Sequence, residues 1–180
     1  MNGENDTFSQ NLSNHEEKIK SIILGYLTCP VDASGAYLGA IMITDYLTRP
    51  FHFSYISPIR PTLYQRILFG KTLNEHIKVE VIAKGLFSEI PRKPNLLLVD
   101  EHILLHAESH IKVPIAFIEK SSGSDPNSIS TIAYKTNPNL DTENIISEYL
   151  TSLEHLIDLI EPFERIKQAI KETLKAPNPH

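Results

Sequence analysis

The sequence predicts a single α/β domain with a mixed sheet, and three patterns in its 180 residues carry that reading. The segments Tyr37 to Ile43 and Phe51 to Ile56 are strand-like and separated by turn residues, which suits an N-terminal antiparallel meander. The runs Leu96-Leu97-Leu98-Val99 and Pro114-Ile115-Ala116-Phe117-Ile118 flank a helical stretch from Glu101 to Ile111. Strand, helix and strand joined by short links imply a parallel pair with a right-handed crossover. Finally, apolar residues recur at helical spacing from Ile146 to Ile160 and from Phe163 to Leu174, as C-terminal helices require.

The elements follow in order. Residues 1–14 are rich in Asn, Ser, Gly and Asp, bury little, and read as a flexible tail. The core domain spans 15–140. It opens on Ile22-Ile23-Leu24 with Tyr26 and Leu27, either a first strand or a helix entering one, and then turns at Pro30, Asp32, Ser34 and Gly35. The alternation Phe51-His52-Phe53-Ser54-Tyr55-Ile56 marks a strand. Pro61 suits the start of a short helix holding Leu63, Tyr64, Ile67 and Leu68. Asn74 suits the N-cap of a longer helix to Glu89, with Ile77, Val81, Ile82 and Leu86 on its buried face. Ser121 to Ser128 reads as a loop and Ile129 to Lys135 as an edge strand. The C-terminal helices occupy 141–180, open near Asp141, and are interrupted at Pro162. They either pack on the core or serve association, including a homo-oligomer.

Composition narrows the function classes. The net charge of −5 argues against a wholly nucleic-acid-binding surface, although local patches remain open. Cys29 is the single cysteine, so no intramolecular disulfide forms, as in a reducing cytosol. The N-terminus lacks the basic start and apolar stretch of a signal peptide, and no apolar run approaches the roughly 20 residues that span a bilayer. The expectation is a soluble, cytoplasmic protein without a membrane partner. The seven glycines are scattered, so no phosphate-binding glycine loop is present, and no Gly-x-Ser-x-Gly elbow occurs. Cys29 suits inert packing better than nucleophilic work.

Asp100 and Glu101 end a buried strand, where ligands bind in open α/β sheets and a carboxylate can hold a cation or act as general base. The competing reading makes Asp100 a cap for the following helix. The run Arg92-Lys93-Pro94-Asn95-Leu96-Leu97-Leu98-Val99-Asp100, with Lys112-Val113-Pro114-Ile115, resembles the central strand–helix–strand of endonuclease V and other RNase H-like nucleases. The order of elements is similar to that superfold too. The resemblance implies that Asp100, with Glu101, would take part in holding Mg²⁺ or Mn²⁺ for phosphodiester hydrolysis. Two departures stand beside it: Glu101-His102-Ile103 replaces the family's glycine-rich continuation, and the first strand carries no aspartate.

His102, His106 and His110 are spaced four apart on one expected helix, so two of them could chelate zinc, as in a zinc-dependent hydrolase. The alternatives are a pH-sensitive or partner-facing stripe, or ordinary residues at the edge of the buried face. Between Asp45 and Glu75 there is no acidic residue, while Arg49, Arg60, Arg66, Lys71 and His52 fall among Phe51, Phe53, Tyr55, Tyr64 and Phe69. Such a window suits an anionic partner, either nucleic acid or an acidic protein, through Arg49, Arg60, Tyr64, Arg66 and Lys71. Otherwise its aromatics belong to the core. The reading the residues support is a non-catalytic interaction module or accessory subunit, without a cofactor, that binds a protein or nucleic acid through this window. The alternatives are the metal-dependent nuclease and the zinc hydrolase.

Overall fold

The computed structural model describes residues 16–120, 132–136 and 143–175. The expected tail, the loop from Ser121 to Ser128 and the helix start at Asp141 fall outside these residues. Residues 16–20 are helical and lead into β1 (Leu24–Thr28), β2 (Tyr37–Thr44) and β3 (Pro50–Ile59). Then come α1 (Leu63–Phe69), a 3₁₀ turn (Gly70–Thr72) and a long helical rod, α2, over residues 73–89. β4 (Leu96–Val99), a 3₁₀ helix (His102–Ser109) and β5 (Ile115–Lys120) form the central unit. β6 (Ile132–Thr136), α3 (Glu143–Glu154) and α4 (Glu161–Lys175) complete the described chain.

The strands form one mixed sheet in the order β3-β2-β1-β4-β5-β6. β1 to β3 make the antiparallel meander, while β4 and β5 run parallel to β1. The strand expected near Ile129 to Lys135 is β6, antiparallel to β5 at the sheet's edge.

Helices cover both faces of the central strands, which is why β1, β2 and β4 are continuously apolar rather than alternating. Leu27, Ile41, Ile43, Leu97 and Val99 pack against Ile77, Ile82 and Leu86 of α2 and Leu104 of the 3₁₀ helix. From the opposite pleat, Leu24, Tyr26, Met42, Leu96 and Leu98 meet Ile146 and Leu150 of α3 and Phe163, Ile166 and Ile170 of α4. The C-terminal helices are thus a layer of the core. Each large apolar side chain buried in this way contributes about 1.5–3 kcal/mol.

Three local expectations are corrected. α2 is α-helical only at its ends, Leu73–Glu75 and Lys84–Glu89, and is a π-helix over His76–Ala83. Bonding to the fifth residue rather than the fourth changes which side chains share a face. Val81 therefore faces solvent and Lys78 is buried, the reverse of the α-helical pattern. Asn74 lies within this rod instead of capping it. The third correction concerns the C-terminal helix, which does not continue to Ile160. α3 stops at Glu154, and the carboxylate of Asp158 accepts from the backbone of Ile160 and Glu161 to start α4. Pro162 then sits in the first turn, where its missing N–H costs nothing.

Gly39 shows how closely the layers meet: a Cβ there would overlap Ile82 Cγ2 of α2 and press on Ile56. Gly85, also in the helical rod, has nothing within 4 Å of the same position. Gly39→Ala is therefore expected to lower stability by about 1–3 kcal/mol, since overpacking forces backbone shifts. Gly85→Ala should raise it by about 0.4–1 kcal/mol. Urea unfolding midpoints of the two variants check both signs.

Candidate functional site

The carboxyl ends of β1 and β4 lie side by side, with Leu27 paired to Val99. This brings Thr28 next to Asp100, and the Thr28 hydroxyl donates to Asp100 Oδ2 over 2.9 Å. Lys167, from α4, places its Nζ 2.9 Å from the same oxygen. Glu101 points the other way and pairs with Lys78 of α2, whose side chain is only 6% exposed. Each carboxylate is thus neutralised by a lysine from a different helical layer. Burial lowers the pKa of Lys167, but its bond to Asp100 and the charges of Asp100 and Glu164 outweigh this and hold it above the usual lysine value. Cys29, buried nearby, has its thiol pushed well up by burial, which suits packing and not nucleophilic chemistry.

These residues do not fit a divalent cation. β1 brings the Thr28 hydroxyl and no carboxylate to Asp100, and ammonium groups hold both Asp100 and Glu101. Asp45 starts the β2–β3 turn at the opposite end of the sheet, since Thr44 pairs with Leu24 while Thr28 pairs with Ala40. Glu80 is bound to His110 at 2.8 Å. Among the described residues no three His, Cys, Asp or Glu side chains gather as a metal site would need.

Nor are the three histidines brought together. Their helix is 3₁₀, with three residues per turn, so a spacing of four does not keep them on one face. His106 pairs with Glu75 at 2.7 Å, His110 with Glu80, and His102 lies edge-on to Phe117 at 5.8 Å. Together with Lys78–Glu101, two of them join this helix to α2. The close contact with His110, opposed by desolvation, keeps Glu80 below its ordinary carboxylate pKa.

The basic, aromatic window divides. Arg49 is bound to Asp45 at 2.7 Å, at the start of β3. Arg60 follows the end of β3, and ten strand residues separate the two arginines by about 30 Å. Arg60, Tyr64, Arg66 and Lys71 instead gather on and around α1. The aromatics are surface groups more than core: Phe51, Phe53, Tyr55 and Tyr64 are exposed, whereas Phe69 is half-buried and stacks on His76. α1 contains no buried residue. Leu63, Tyr64, Ile67 and Leu68 are 74, 70, 70 and 62% exposed. Thr62 caps the helix: its Oγ1 accepts from Gln65 N, while Gln65 Oε1 accepts from Thr62 N.

Lys78, Lys167 and Thr28 are the site residues that sequence reasoning missed. Lys78 carried one signal, as a cation inside the apolar run from Ile77 to Ile82. Lys167 carried none, because a lysine beside the buried face of an amphipathic helix is usually solvated.

No family model matches the chain, and no curated protein does. Among solved structures, human ENDOV aligns over 67% of this chain and 64% of its own, with a TM-score of 0.38 and 11% identity. Endonuclease V of Ciona intestinalis, in complex with DNA containing an inosine, covers 82% of this chain and 67% of its own, with a TM-score of 0.36 and 10% identity. Marinitoga piezophila Argonaute with a guide RNA covers 73% of this chain and 26% of its own, with a TM-score of 0.35 and 10% identity. At these scores the likenesses carry no argument, and the chemistry is read from this chain's own side chains.

Two measurements test the paired carboxylates. Lys78→Ala is expected to cost about 2–4 kcal/mol, somewhat below the usual range for a broken buried pair because Glu101 is partly exposed. Lys78→Met with Glu101→Leu should recover most of that loss in urea unfolding. Lys167 is raised in the folded state, so its pair with Asp100 stabilises fully below the unfolded lysine pKa and is lost as pH rises through the folded value. Unfolding midpoints followed upward from about pH 10 should fall more steeply for the native chain than for Lys167→Met.

Proposed function

We propose that this protein is a non-catalytic interaction module that docks a partner protein on α1. One observation carries the reading: a capped helix holds four large apolar side chains in solvent, and only Phe69 at its end packs against the core. Leaving such groups in water forgoes about 1.5–3 kcal/mol each, and a patch of this kind rimmed by charge is characteristic of interaction sites. The charges that flank it in the chain are basic: Arg60, Arg66 and Lys71, with no acid between Asp45 and Glu75 in sequence. The matching surface is therefore apolar at its centre and acidic around it. Nucleic acid suits the cations equally well, and Tyr64 offers one ring on which a base could stack, but three of the four exposed groups, Leu63, Ile67 and Leu68, do not.

A second reading, a metal-dependent RNase H-like nuclease using Asp100 and Glu101 with Mg²⁺ or Mn²⁺, is favoured by the strand order and by the place of Asp100 at the carboxyl end of β4. The lysines on both carboxylates oppose it. A zinc hydrolase built on His102, His106 and His110 has no comparable support.

Affinity capture from lysate separates these readings. The native chain should retain a stoichiometric protein that survives nuclease treatment. Leu63→Asp with Ile67→Asp should lose that protein while unfolding like the native chain, and Arg60→Glu with Arg66→Glu should weaken capture and its salt dependence. Capture unchanged in both double variants would overturn the proposal, as would a partner that nuclease removes. Mg²⁺- or Mn²⁺-dependent cleavage of nucleic acid that disappears in Asp100→Asn would establish the second reading instead.

A further inference from the structure

Beyond the end of β1, the turn residues Pro30 to Ala33 and Leu38 of β2 face the second half of α4 across a groove of about 470 Å³. This is a typical size for a small-molecule site. Its floor is apolar: Leu38 and Ile170 are buried core residues, and Val31 and Leu174 continue the same surface into solvent, 46 and 43% exposed. Its wall on α4 carries Lys167, Lys171 and Lys175, four residues apart and so on one face of the helix. The groove also lies where ligands bind in open sheets. It sits just outside the carboxyl end of β1.

The charges select the ligand. Lys167 is committed to Asp100 and Glu164, and Lys175 to Glu172 at 2.8 Å. Asp32 is occupied within its own turn, accepting from Ser34 and from the backbone of Ala36, and faces Arg60. Among the described lining residues Lys171 is the cation with no ion pair, and it stands over the apolar floor. From Lys167 to Lys175 the helix rises about 12 Å, the reach of a medium-length alkyl chain.

We propose that this groove binds a single-chain amphiphile with an anionic head, the carboxylate paired with Lys171 and the alkyl chain laid along Val31, Leu38, Ile170 and Leu174. The site is separate from α1, so it stands or falls independently of partner docking. Calorimetric titration of the full chain with decanoate, kept below its micelle concentration, tests it against decylamine, which has the same chain and the opposite charge. Decanoate should bind saturably at one site. Lys171→Glu and Leu174→Asp, both at exposed positions, should each weaken it by about tenfold or more, and decylamine should bind at least about tenfold more weakly. No saturable decanoate binding would overturn the proposal. So would affinity unmoved by both substitutions, or decylamine binding as tightly as decanoate.

Discussion

Burying β1 and β4 on both faces is the constraint on which the rest of this structure depends. A strand covered on both sides has no place for a charge along its length, so its polar chemistry is pushed to the ends. At the carboxyl end of β4 two consecutive acids appear, and the strand's pleat sends them to opposite sides. Asp100 meets Lys167 in the α4 layer and Glu101 meets Lys78 in the α2 layer. The sheet and its two helical layers are thus joined through one dipeptide. Buried ion pairs add little net stability compared with apolar packing, but one left without its partner is costly, so this junction fixes alignment more than it adds strength.

Much of the fold was legible in the sequence because its signals are those of apolar burial. Leu96 to Val99 and Ile115 to Ile118 read as buried strands and are, and the face from Ile146 to Leu153 packs where its spacing placed it. What was hidden depended on helix type. Reading α2 as a regular α-helix puts Val81 inside and Lys78 outside, and only the π-helical stretch reverses them. The spacing of His102, His106 and His110 assumed 3.6 residues per turn where the chain takes about three. Neither choice follows from local propensity. Both go with the salt links and packing between the two helices, which the sequence does not display.

The candidate site was legible in part for a related reason. The stretch from Asp45 to Glu75 stood out by composition, and α1 is where its cations gather, but composition could not separate Arg49, bound to Asp45 a strand's length away, from Arg60 and Arg66. It also gave no weight to Leu63, Ile67 and Leu68, since apolar residues at helical spacing ordinarily mean core. Their exposure became visible only once the sheet's helical cover proved to be complete without them.

The cap on α1 matters beyond the helix itself. Seven residues are too few to stay helical in water on propensity alone, and this segment gains from the core only through Phe69 at its end. The reciprocal bonds between Thr62 and Gln65, and the left-handed Gly70 that closes the other end, keep it wound in the unbound protein. An incoming surface therefore meets a finished shape and need not spend its own binding energy on ordering a loose segment. Since Leu63, Tyr64, Ile67 and Leu68 stand outside the core, their identities are also free to change with whatever they touch, at little expense to the fold that holds them.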